Sequence, residues 1–314
     1  MNNQIVFIGK ITNKERETWI ATITPLLIGA KIVTYDELTT EQKLNIEVAI
    51  VANPEPEQLA EFPNLRWIQS LWAGVERLVA ELPNAKFDIV RMVDPTLAST
   101  MAEAVLAWTL YLHRDMPKYL YQQKQKLWLE RDLIEIKDRH IGVLGLGKLG
   151  TASAQKLLLN GFNVSGWSRS LTNIKGVKCF SGEEGFKELL AQTNILICLL
   201  PLTNETHALL NAQSMSILPP GASIINFSRG QIIDEKALLQ HLESDHLAHA
   251  VLDVFEVEPL PVSSALWDSP DITILPHISA PTNIRTASEL VANNLTHYFE
   301  AGEIPEAVQR DRGY

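Results

Sequence analysis

The feature that most constrains this 314-residue chain is a glycine-rich turn near its midpoint. An apolar run at residues 141–144 precedes this turn, and a helix-forming stretch at residues 151–159 follows it. The order of strand, glycine turn and helix is typical of a dinucleotide site, where the glycines permit a tight turn, the approach of a pyrophosphate and close helix packing. We therefore predict that a dinucleotide contacts the turn. Its residues are Gly145, Leu146, Gly147, Lys148, Leu149 and Gly150.

Composition limits the partners of the chain. With 46% hydrophobic and 20% charged residues it is typical of a globular protein, and its formal net charge of −10 argues against a nucleic acid or an anionic membrane as a partner. The first residues lack the pattern of a signal peptide, and no run approaches the ~18 apolar residues of a membrane span, so the cytoplasm is the expected compartment. The two cysteines, Cys179 and Cys198, lack the spacing of a metal site, and no metal is predicted.

Short apolar runs recur on both sides of the glycine turn, separated by helix-compatible sequence. They are continuous rather than alternating, which predicts strands buried on both faces, as in parallel sheets covered by helices. The runs lie at residues 5–8, 31–35, 48–52, 65–71 and 88–93 before the turn, and at residues 163–167, 177–180, 195–200, 223–227, 249–254 and 272–275 after it. The predicted fold class is α/β, with two doubly wound parallel-sheet domains of Rossmann or flavodoxin-like type and a cleft between them.

A long helical pattern leads from the first lobe into the glycine turn. Residues 98–126 are predicted to form one helix, with Pro117 as the place for a kink. Ser99 or Thr100 is its predicted N-cap, and Glu103 is expected in the first turn, where the helix dipole favours a carboxylate. This explanation is sufficient for Glu103, and no catalytic role is predicted for it.

The closing segment of the chain determines the predicted domain boundaries. Residues 283–301 are amphipathic and are predicted to form a helix that returns to the first lobe. The first domain is then discontinuous: residues 1–98 and 285–314 form a substrate domain, and residues 99–284 form the nucleotide-binding domain. Ligands of doubly wound sheets bind at clefts of this kind.

The end of the second strand of a nucleotide-binding sheet distinguishes the two nicotinamide cofactors. A carboxylate there accepts a hydrogen bond from a ribose 2′-hydroxyl and repels a 2′-phosphate. Here the strand ends at Trp167 and continues into Ser168 and Arg169, without a carboxylate. Arg169 offers charged, planar donors suited to phosphate, so we predict NADP(H) in preference to NAD(H), bound by these three residues. The alternative is that Arg169 is a solvated surface residue.

Three ionisable residues follow the later strands of the second lobe, namely Arg229, Glu258 and His277. Together they suit hydride transfer to a 2-keto acid. Arg229 binds the carboxylate and polarises the keto oxygen, His277 donates the proton, and Glu258 orients His277 and raises its pKa. Taken singly, each has another explanation: a salt bridge for the arginine, a solvated surface position for the glutamate, and a turn cap for the histidine.

Five segments of the chain together resemble the D-isomer-specific 2-hydroxyacid dehydrogenase family. The segments are residues 142–150, 226–230, 252–255, 258–260 and 276–277. The resemblance covers most of the chain and places the arginine, glutamate and histidine of the family on Arg229, Glu258 and His277. Two further segments, Trp167-Ser168-Arg169 and the C-terminal residues 309–314, are most similar to one bacterial reductase branch of the family.

The resemblance also implies further contacts with substrate and cofactor. It implies that main-chain N–H groups after the strand at 65–71 hold the substrate carboxylate, and the small residues there permit a close approach. A plain strand-to-helix turn is the alternative. The implied substrate contacts are Trp72, Ala73, Gly74, Val75, Arg229 and His277. Beyond the glycine turn and the segment 167–169, the implied cofactor contacts are Leu200, Pro201, Ser228, Arg229, Asp253 and His277.

The activity implied by the resemblance is NADPH-dependent reduction of a small 2-keto acid, from glyoxylate to glycolate or from hydroxypyruvate to D-glycerate. Two alternatives stay open. One is another dehydrogenase of 2-hydroxy acids, of the D-lactate or phosphoglycerate type. The other is a non-catalytic NAD(P)-sensing protein of the same fold that binds a partner. The resemblance further implies a homodimer, with residues 118–133 as an arm from which Trp128 reaches the partner; interface packing is the alternative for Trp128.

Overall fold

The structure is a computed structural model in which residues 3–310 are described. The branch-specific similarity at residues 311–314 therefore lies outside the described residues. The chain divides into two compact units, Met1–Thr96 with Thr282–Tyr314, and Leu97–Pro281. Each unit contains one parallel sheet with helices, so the predicted α/β class with two doubly wound sheets is confirmed.

The first unit contains a five-stranded parallel sheet in the order β2-β1-β3-β4-β5. Its central strand β3 is buried at all five positions, as expected for a continuous apolar run between two helical layers. The strands are β1 (Asn3–Gly9), β2 (Ala30–Thr34), β3 (Val48–Ala52), β4 (Trp67–Ser70) and β5 (Asp88–Val90). The order has one reversal point, between β1 and β3, which is the flavodoxin-like arrangement.

Within residues 3–310, five α-helices belong to the first unit, and the last of them comes from the C-terminal segment. They are α1 (Asn13–Ile23), α2 (Thr40–Lys43), α3 (Pro56–Ala60), α4 (Glu76–Glu81) and α11 (Ile284–Ala301). Asn283 caps α11 by accepting the amide hydrogens of Arg285 and Thr286. The apolar face of α11 packs beside α1 in the core of the first unit. The predicted return of this helix to the first lobe is confirmed.

The second unit contains a seven-stranded parallel sheet in the order β12-β11-β10-β9-β6-β7-β8. Its strands are β6 (His140–Leu144), β7 (Asn163–Trp167), β8 (Lys178–Phe180), β9 (Ile195–Cys198), β10 (Ala222–Asn226), β11 (Leu247–Leu252) and β12 (Ile272–Ile274). The order reverses between β6 and β9, as in a Rossmann sheet. All strands are parallel, so their carboxyl ends meet at one edge, where each candidate residue of this unit follows its strand.

The helices of the second unit cover both faces of this sheet. They are α5 (Pro95–His113), which begins at the end of the first unit, α6 (Met116–Lys124), α7 (Lys148–Leu159), α8 (Gly182–Gln192), α9 (Ala212–Ile217) and α10 (Glu235–Glu243). Short 3₁₀ turns lie at Ile136–Asp138, Gly230–Ile232 and Ala265–Asp268 in this unit. The first unit has such turns at Thr24–Leu26 and Tyr35–Glu37. Two buried clusters, one on each side of the strands, form the core of the second unit.

The prediction of one helix over residues 98–126 is wrong in three respects. The chain forms two helices, α5 and α6, because Asp115 adopts a left-handed backbone conformation that ends the first and precedes Pro117 of the second. Helix α5 begins at Pro95, so neither Ser99 nor Thr100 is its N-cap. Glu103 consequently lies beyond the first turn, which contains no acidic residue.

Candidate active site

The glycine turn after β6 has the steric demands that the sequence predicts. Gly145 has a φ of +95°, and a Cβ there would lie 2.7 Å from the carbonyl oxygen of Leu199. A Cβ on Gly150 would lie 1.7 Å from the carbonyl oxygen of Gly145. Both positions therefore exclude a side chain, since such contacts require the backbone to move.

Gly147 differs from the other two glycines because, apart from its chain neighbours, no heavy atom of the described residues lies within 4 Å of the place its Cβ would take. It is the N-cap of α7 and makes no side-chain capping bond, so the first N–H groups of the helix depend on another acceptor. Open space beside a helix N-terminus suits a pyrophosphate. The turn therefore fits the dinucleotide that the sequence predicts.

The three predicted residues at the end of β7, Trp167, Ser168 and Arg169, lie at the edge of the sheet. Their side chains make different contacts. Trp167 donates its indole N–H to the carbonyl oxygen of Gly182 at 2.8 Å, and the Ser168 hydroxyl donates to the carbonyl oxygen of Ser170 at 2.8 Å. Arg169 is exposed. The sequence interpretation missed Glu205, whose pKa is lowered chiefly by the hydrogen bond from the Thr203 hydroxyl and also by the charge of Arg169.

Further predicted cofactor contacts lie after β9 and β10. Leu200 is buried, and the carbonyl oxygen of the partly buried Pro201 accepts the Thr206 hydroxyl at 2.7 Å. The Ser228 hydroxyl points inward, 2.6 Å from Oδ1 of Asn226. The hydroxyl hydrogen of Ser228 is therefore donated within the protein.

Arg229 follows β10 in a turn that a buried amide shapes. Nδ2 of Asn226 donates to the carbonyl oxygen of Arg229 at 3.0 Å, and its Oδ1 accepts the amide hydrogen of Ser228 at 3.1 Å. Gly230 follows Arg229 in this turn. A side chain is excluded there, since a Cβ would lie 1.9 Å from the carbonyl carbon of Phe255. The sequence interpretation assigned no role to Asn226 or Gly230. The short spacing from Asn226 to Arg229 was the available signal, because Asn side chains bond the main chain two or three residues on.

Glu258 and His277 form a hydrogen-bonded pair at the same edge of the sheet. Nδ1 of His277 lies 2.8 Å from Oε2 of Glu258, and Oε1 of Glu258 accepts the amide hydrogen of Phe255 at 2.9 Å. Both carboxylate oxygens are thus engaged. Because Nδ1 of His277 donates to the carboxylate, its Nε2 is the atom that is left to exchange a proton with a ligand.

Electrostatics in this pair favour the charged forms of both groups. The hydrogen bond to Glu258 raises the pKa of His277 above its usual value, although burial acts in the opposite direction. Burial raises the pKa of Glu258, but the hydrogen bonds from His277 and the Phe255 amide outweigh it and lower the pKa overall. The charge of Arg229 contributes to both pKa values, so the three groups are close enough to interact.

Asp253 holds the main chain that follows His277. This aspartate is 2% exposed, and its two carboxylate oxygens accept the amide hydrogens of Ile278 at 2.7 Å and Ser279 at 2.9 Å. His277 itself has a φ of +54°, an unfavourable conformation for a residue with a side chain. The buried carboxylate stabilises this conformation, which places Asp253 in support of His277 rather than exposed to a ligand.

The turn after β4 in the first unit has main-chain N–H groups that suit an anion. The Ser70 hydroxyl bonds both the amide and the carbonyl of Trp72, at 3.0 and 3.1 Å. The amide hydrogens of the next three residues donate no hydrogen bond within residues 3–310. These residues are Ala73, Gly74 and Val75, of which the first two are partly exposed. Neighbouring N–H groups without acceptors suit a carboxylate.

The predicted arm is helical only in its first part, which is α6. The following residues, 125–135, form no regular element, and residues 123–135 are exposed throughout. The side chain of Trp128 is 96% exposed. Among the described residues, no cluster of His, Cys, Asp and Glu has the arrangement of a metal site, and no helix is long and apolar enough to cross a bilayer.

The second unit thus has the architecture of a dinucleotide-binding domain with an arginine and a histidine–glutamate pair at the carboxyl edge of its sheet. The sequence profile of the family described as D-isomer specific 2-hydroxyacid dehydrogenase, NAD binding domain, matches residues 106–279. This match spans more than half of the chain, and it includes all three groups. The chain belongs to the D-isomer specific 2-hydroxyacid dehydrogenase family.

Individual relatives resemble the chain over almost its whole length. A glyoxylate/hydroxypyruvate reductase A from Serratia proteamaculans is 37% identical over 311 residues, which are 97% of each chain. A 2-hydroxyacid dehydrogenase from Xanthobacter autotrophicus, solved with NADPH and MES, is 36% identical with a TM-score of 0.92 over 100% of both chains. An NADPH-dependent glyoxylate/hydroxypyruvate reductase from Sinorhizobium meliloti, solved with NADP and sulfate, is 30% identical with a TM-score of 0.90, also over 100% of both.

Proposed function

We propose that this protein is a glyoxylate/hydroxypyruvate reductase that uses NADPH to reduce glyoxylate to glycolate and hydroxypyruvate to D-glycerate. The observation that carries the proposal is the hydrogen-bonded pair of Glu258 and His277, which lies at the same edge of a dinucleotide-type sheet as Arg229. The names of the relatives support the substrate class.

Each of the three groups has a role that its chemistry suits. Arg229 binds the substrate carboxylate and polarises the keto oxygen through its fixed donors. His277, whose protonated form Glu258 favours, donates a proton from Nε2 to that oxygen. The reduced nicotinamide, when bound, supplies the hydride to the carbonyl carbon. The proton and the hydride together convert the keto group to a hydroxyl group.

The proposed substrate and nucleotide contacts belong to different parts of the chain. We propose residues 1–98 with 285–314 as the substrate domain, where the turn at Trp72, Ala73, Gly74 and Val75 supplies main-chain donors for a carboxylate. We propose residues 99–284 as the nucleotide-binding domain. Within it, the glycine turn and Arg169 hold NADP(H), and the segments at Leu200-Pro201, Ser228 and Asp253 adjoin it.

Replacement of Arg229 tests the substrate role. In Arg229→Ala we expect kcat/KM for glyoxylate to fall about 10²-fold or more, because a charge-assisted bidentate contact is lost. NADPH binding, measured by fluorescence titration, should stay close to that of the parent. Arg16→Ala is the matched control, since Arg16 lies on the surface helix α1 and contacts Asp36. Normal kcat/KM in Arg229→Ala would remove the proposed role.

Replacement of Arg169 tests the preference for NADP(H). In Arg169→Asp we expect the ratio of kcat/KM with NADPH to that with NADH to fall about 10- to 100-fold, because a carboxylate repels the 2′-phosphate and accepts a 2′-hydroxyl. Lys156→Asp, on the exposed face of α7, makes the same change of charge as a control. An unchanged ratio would show that the 2′-phosphate is recognised elsewhere.

A substrate panel distinguishes the proposal from its alternatives. Glyoxylate, hydroxypyruvate, pyruvate and phenylpyruvate should be assayed with both cofactors. We expect the highest kcat/KM for the first two with NADPH. Pyruvate as the best substrate would instead indicate a D-lactate type of dehydrogenase, and binding of NADPH without turnover of any keto acid would indicate the non-catalytic sensor.

We also propose a homodimer in which the arm of residues 118–133 contacts the partner. Support comes from its exposed apolar side chains, among them Trp128 and the 73%-exposed Leu133. Sedimentation of the double variant Trp128→Ser, Leu133→Ser should show a larger monomer fraction than the parent. Leu159→Ser, at an 85%-exposed position on α7, is the control. An unchanged sedimentation coefficient in the double variant would argue against this arm as the contact.

A further inference from the structure

We propose that Asn226 is a positioning residue for the reaction, and that it acts through Arg229 by setting the main chain of the turn that carries the guanidinium. The proposal rests on the function proposed above, in which Arg229 binds the substrate carboxylate. It assigns to Asn226 no contact with substrate or cofactor.

The side chain of Asn226 uses both ends of its amide on the Arg229 turn. Oδ1 accepts the main-chain N–H of Ser228 at 3.1 Å and lies 2.6 Å from the Ser228 hydroxyl. Nδ2 donates to the carbonyl oxygen of Arg229 at 3.0 Å. These contacts hold the peptide group between Phe227 and Ser228 and the peptide group between Arg229 and Gly230, so they hold both ends of the short segment from which the Arg229 side chain leaves the main chain.

Asn226 is itself held in place by the strands on both sides of it. It is 1% exposed and is the last residue of β10, which is paired on one side with β9 and on the other with β11. Its own carbonyl oxygen accepts the amide hydrogen of Asp253 at 3.1 Å. Asn226 therefore anchors the turn to the neighbouring strands of the sheet. Through Asp253 it also links the turn to the main chain that follows His277.

The geometry requires an asparagine in particular. The Ser228 amide needs an acceptor and the Arg229 carbonyl needs a donor, and a planar carboxamide provides both at fixed separation. An aspartate has the same shape but offers only acceptors, so an oxygen would face the carbonyl oxygen of Arg229. Alanine would leave the Ser228 amide and the Arg229 carbonyl without this partner in a buried place.

A purely structural role is the competing explanation, and the chain contains a matched asparagine to test it. Asn211, the N-cap of α9 in the same unit, accepts the amide hydrogens of Gln213 and Ser214 and donates from Nδ2 to the carbonyl oxygen of Ala208 at 3.0 Å. Its hydrogen bonds are of the same kind, but it lies outside the cluster of Arg229, Glu258 and His277. Its replacement therefore reports the effect of losing such bonds without a change at Arg229.

The experiment compares Asn226→Asp and Asn226→Ala with Asn211→Asp and Asn211→Ala. For each purified variant, kcat and KM for glyoxylate, the Kd of NADPH and the thermal midpoint should be measured. We expect kcat/KM to fall about 10- to 100-fold in both Asn226 variants, since a displacement of about 1 Å has an effect of this size. The Kd of NADPH should change less than about twofold, and the Asn211 variants should retain parental kcat/KM.

A double variant separates action through Arg229 from a general loss of structure. If Asn226 acts through Arg229, Arg229→Ala with Asn226→Asp should have the same kcat/KM as Arg229→Ala alone, because the group being positioned is already absent. Additive losses would overturn the positioning role, and so would parental kcat/KM in Asn226→Asp, which decides the question if Asn226→Ala does not fold. Failure of the proposed function itself appears separately, as parental kcat/KM in the single variant Arg229→Ala.

Discussion

The glycine turn and the cluster of Arg229, Glu258 and His277 lie at the same edge of one sheet but are built in opposite ways. The turn consists of six consecutive residues and depends on the absence of side chains at Gly145 and Gly150. The cluster draws on the ends of three strands and depends on hydrogen bonds made by polar side chains, namely the buried Asn226 and Asp253 and the exposed Glu258.

This difference predicts different responses to substitution. A side chain added at Gly145 or Gly150 of the turn meets main-chain atoms, so stability and nucleotide binding should change together. A side chain removed from the cluster leaves the sheet intact but changes the charge or position of a reacting group, so the rate and its pH dependence should change instead. The following experiments test the two expectations in order of decreasing effect.

The largest expected effect is the loss of the proton donor in His277→Ala. We expect kcat for glyoxylate reduction to fall about 10²- to 10⁴-fold, with little change in the Kd of NADPH, because general acid catalysis contributes an effect of this size. Steady-state kinetics and fluorescence titration measure the two quantities.

The surface pair of His297 and Glu303, 3.2 Å apart in the first unit, provides a control for the removal of a histidine that faces a carboxylate. His297→Ala should retain the parental kcat. If His277→Ala also retained the parental kcat, the proton would have to come from another group. The expectation that substitutions in the cluster change the rate would then be wrong for His277.

The next effect belongs to the turn. Gly150→Ala should lower the free energy of unfolding by about 1–3 kcal/mol, because its Cβ overlaps the Gly145 carbonyl oxygen and the helix must shift. Gly147→Ala should leave the free energy of unfolding unchanged and weaken NADPH binding, since its Cβ enters open space beside the helix N-terminus. Denaturant titration and NADPH titration distinguish the two, and equal stability losses would contradict the steric account.

A smaller effect, visible mainly in the pH profile, is expected from Glu258→Gln. Glu258 raises the pKa of His277, and reduction requires protonated His277, so activity is present below this pKa and is lost as the pH rises through it. Removing the carboxylate charge lowers the pKa of His277, so the alkaline limb of kcat/KM should move to lower pH. An alkaline limb at the parental pH would show that Glu258 does not control this proton.

The smallest effect is expected from Ser228→Ala. The Ser228 hydroxyl bonds Asn226 inside the protein, so its loss should lower the free energy of unfolding by about 1 kcal/mol. The Kd of NADPH should change less than twofold. A larger change in Kd would place the hydroxyl on the cofactor and would weaken the distinction between groups that support the cluster and groups that contact a ligand.

Several elements were predictable because their signals are local. The continuous apolar runs predicted the strands, and the amphipathic pattern of residues 283–301 predicted α11. The break between α5 and α6 was not predictable from periodicity, since the apolar pattern continues past Asp115 while its left-handed conformation ends the helix. The inward direction of the Ser228 hydroxyl and the effect of the Arg169 charge on the pKa of Glu205 also had no signal of their own.

By itself, the sequence determined which residue types follow each strand and where side chains are forbidden, because burial patterns and glycine positions act over a few neighbouring residues. Only the tertiary structure decided which of those groups meet. The bond between His277 and Glu258 and the support of Arg229 by Asn226 depend on the order of strands in the sheet and on the turns that follow them. Hydrogen bonds extend about 3 Å, so partners far apart in sequence are chosen by the fold and not by spacing.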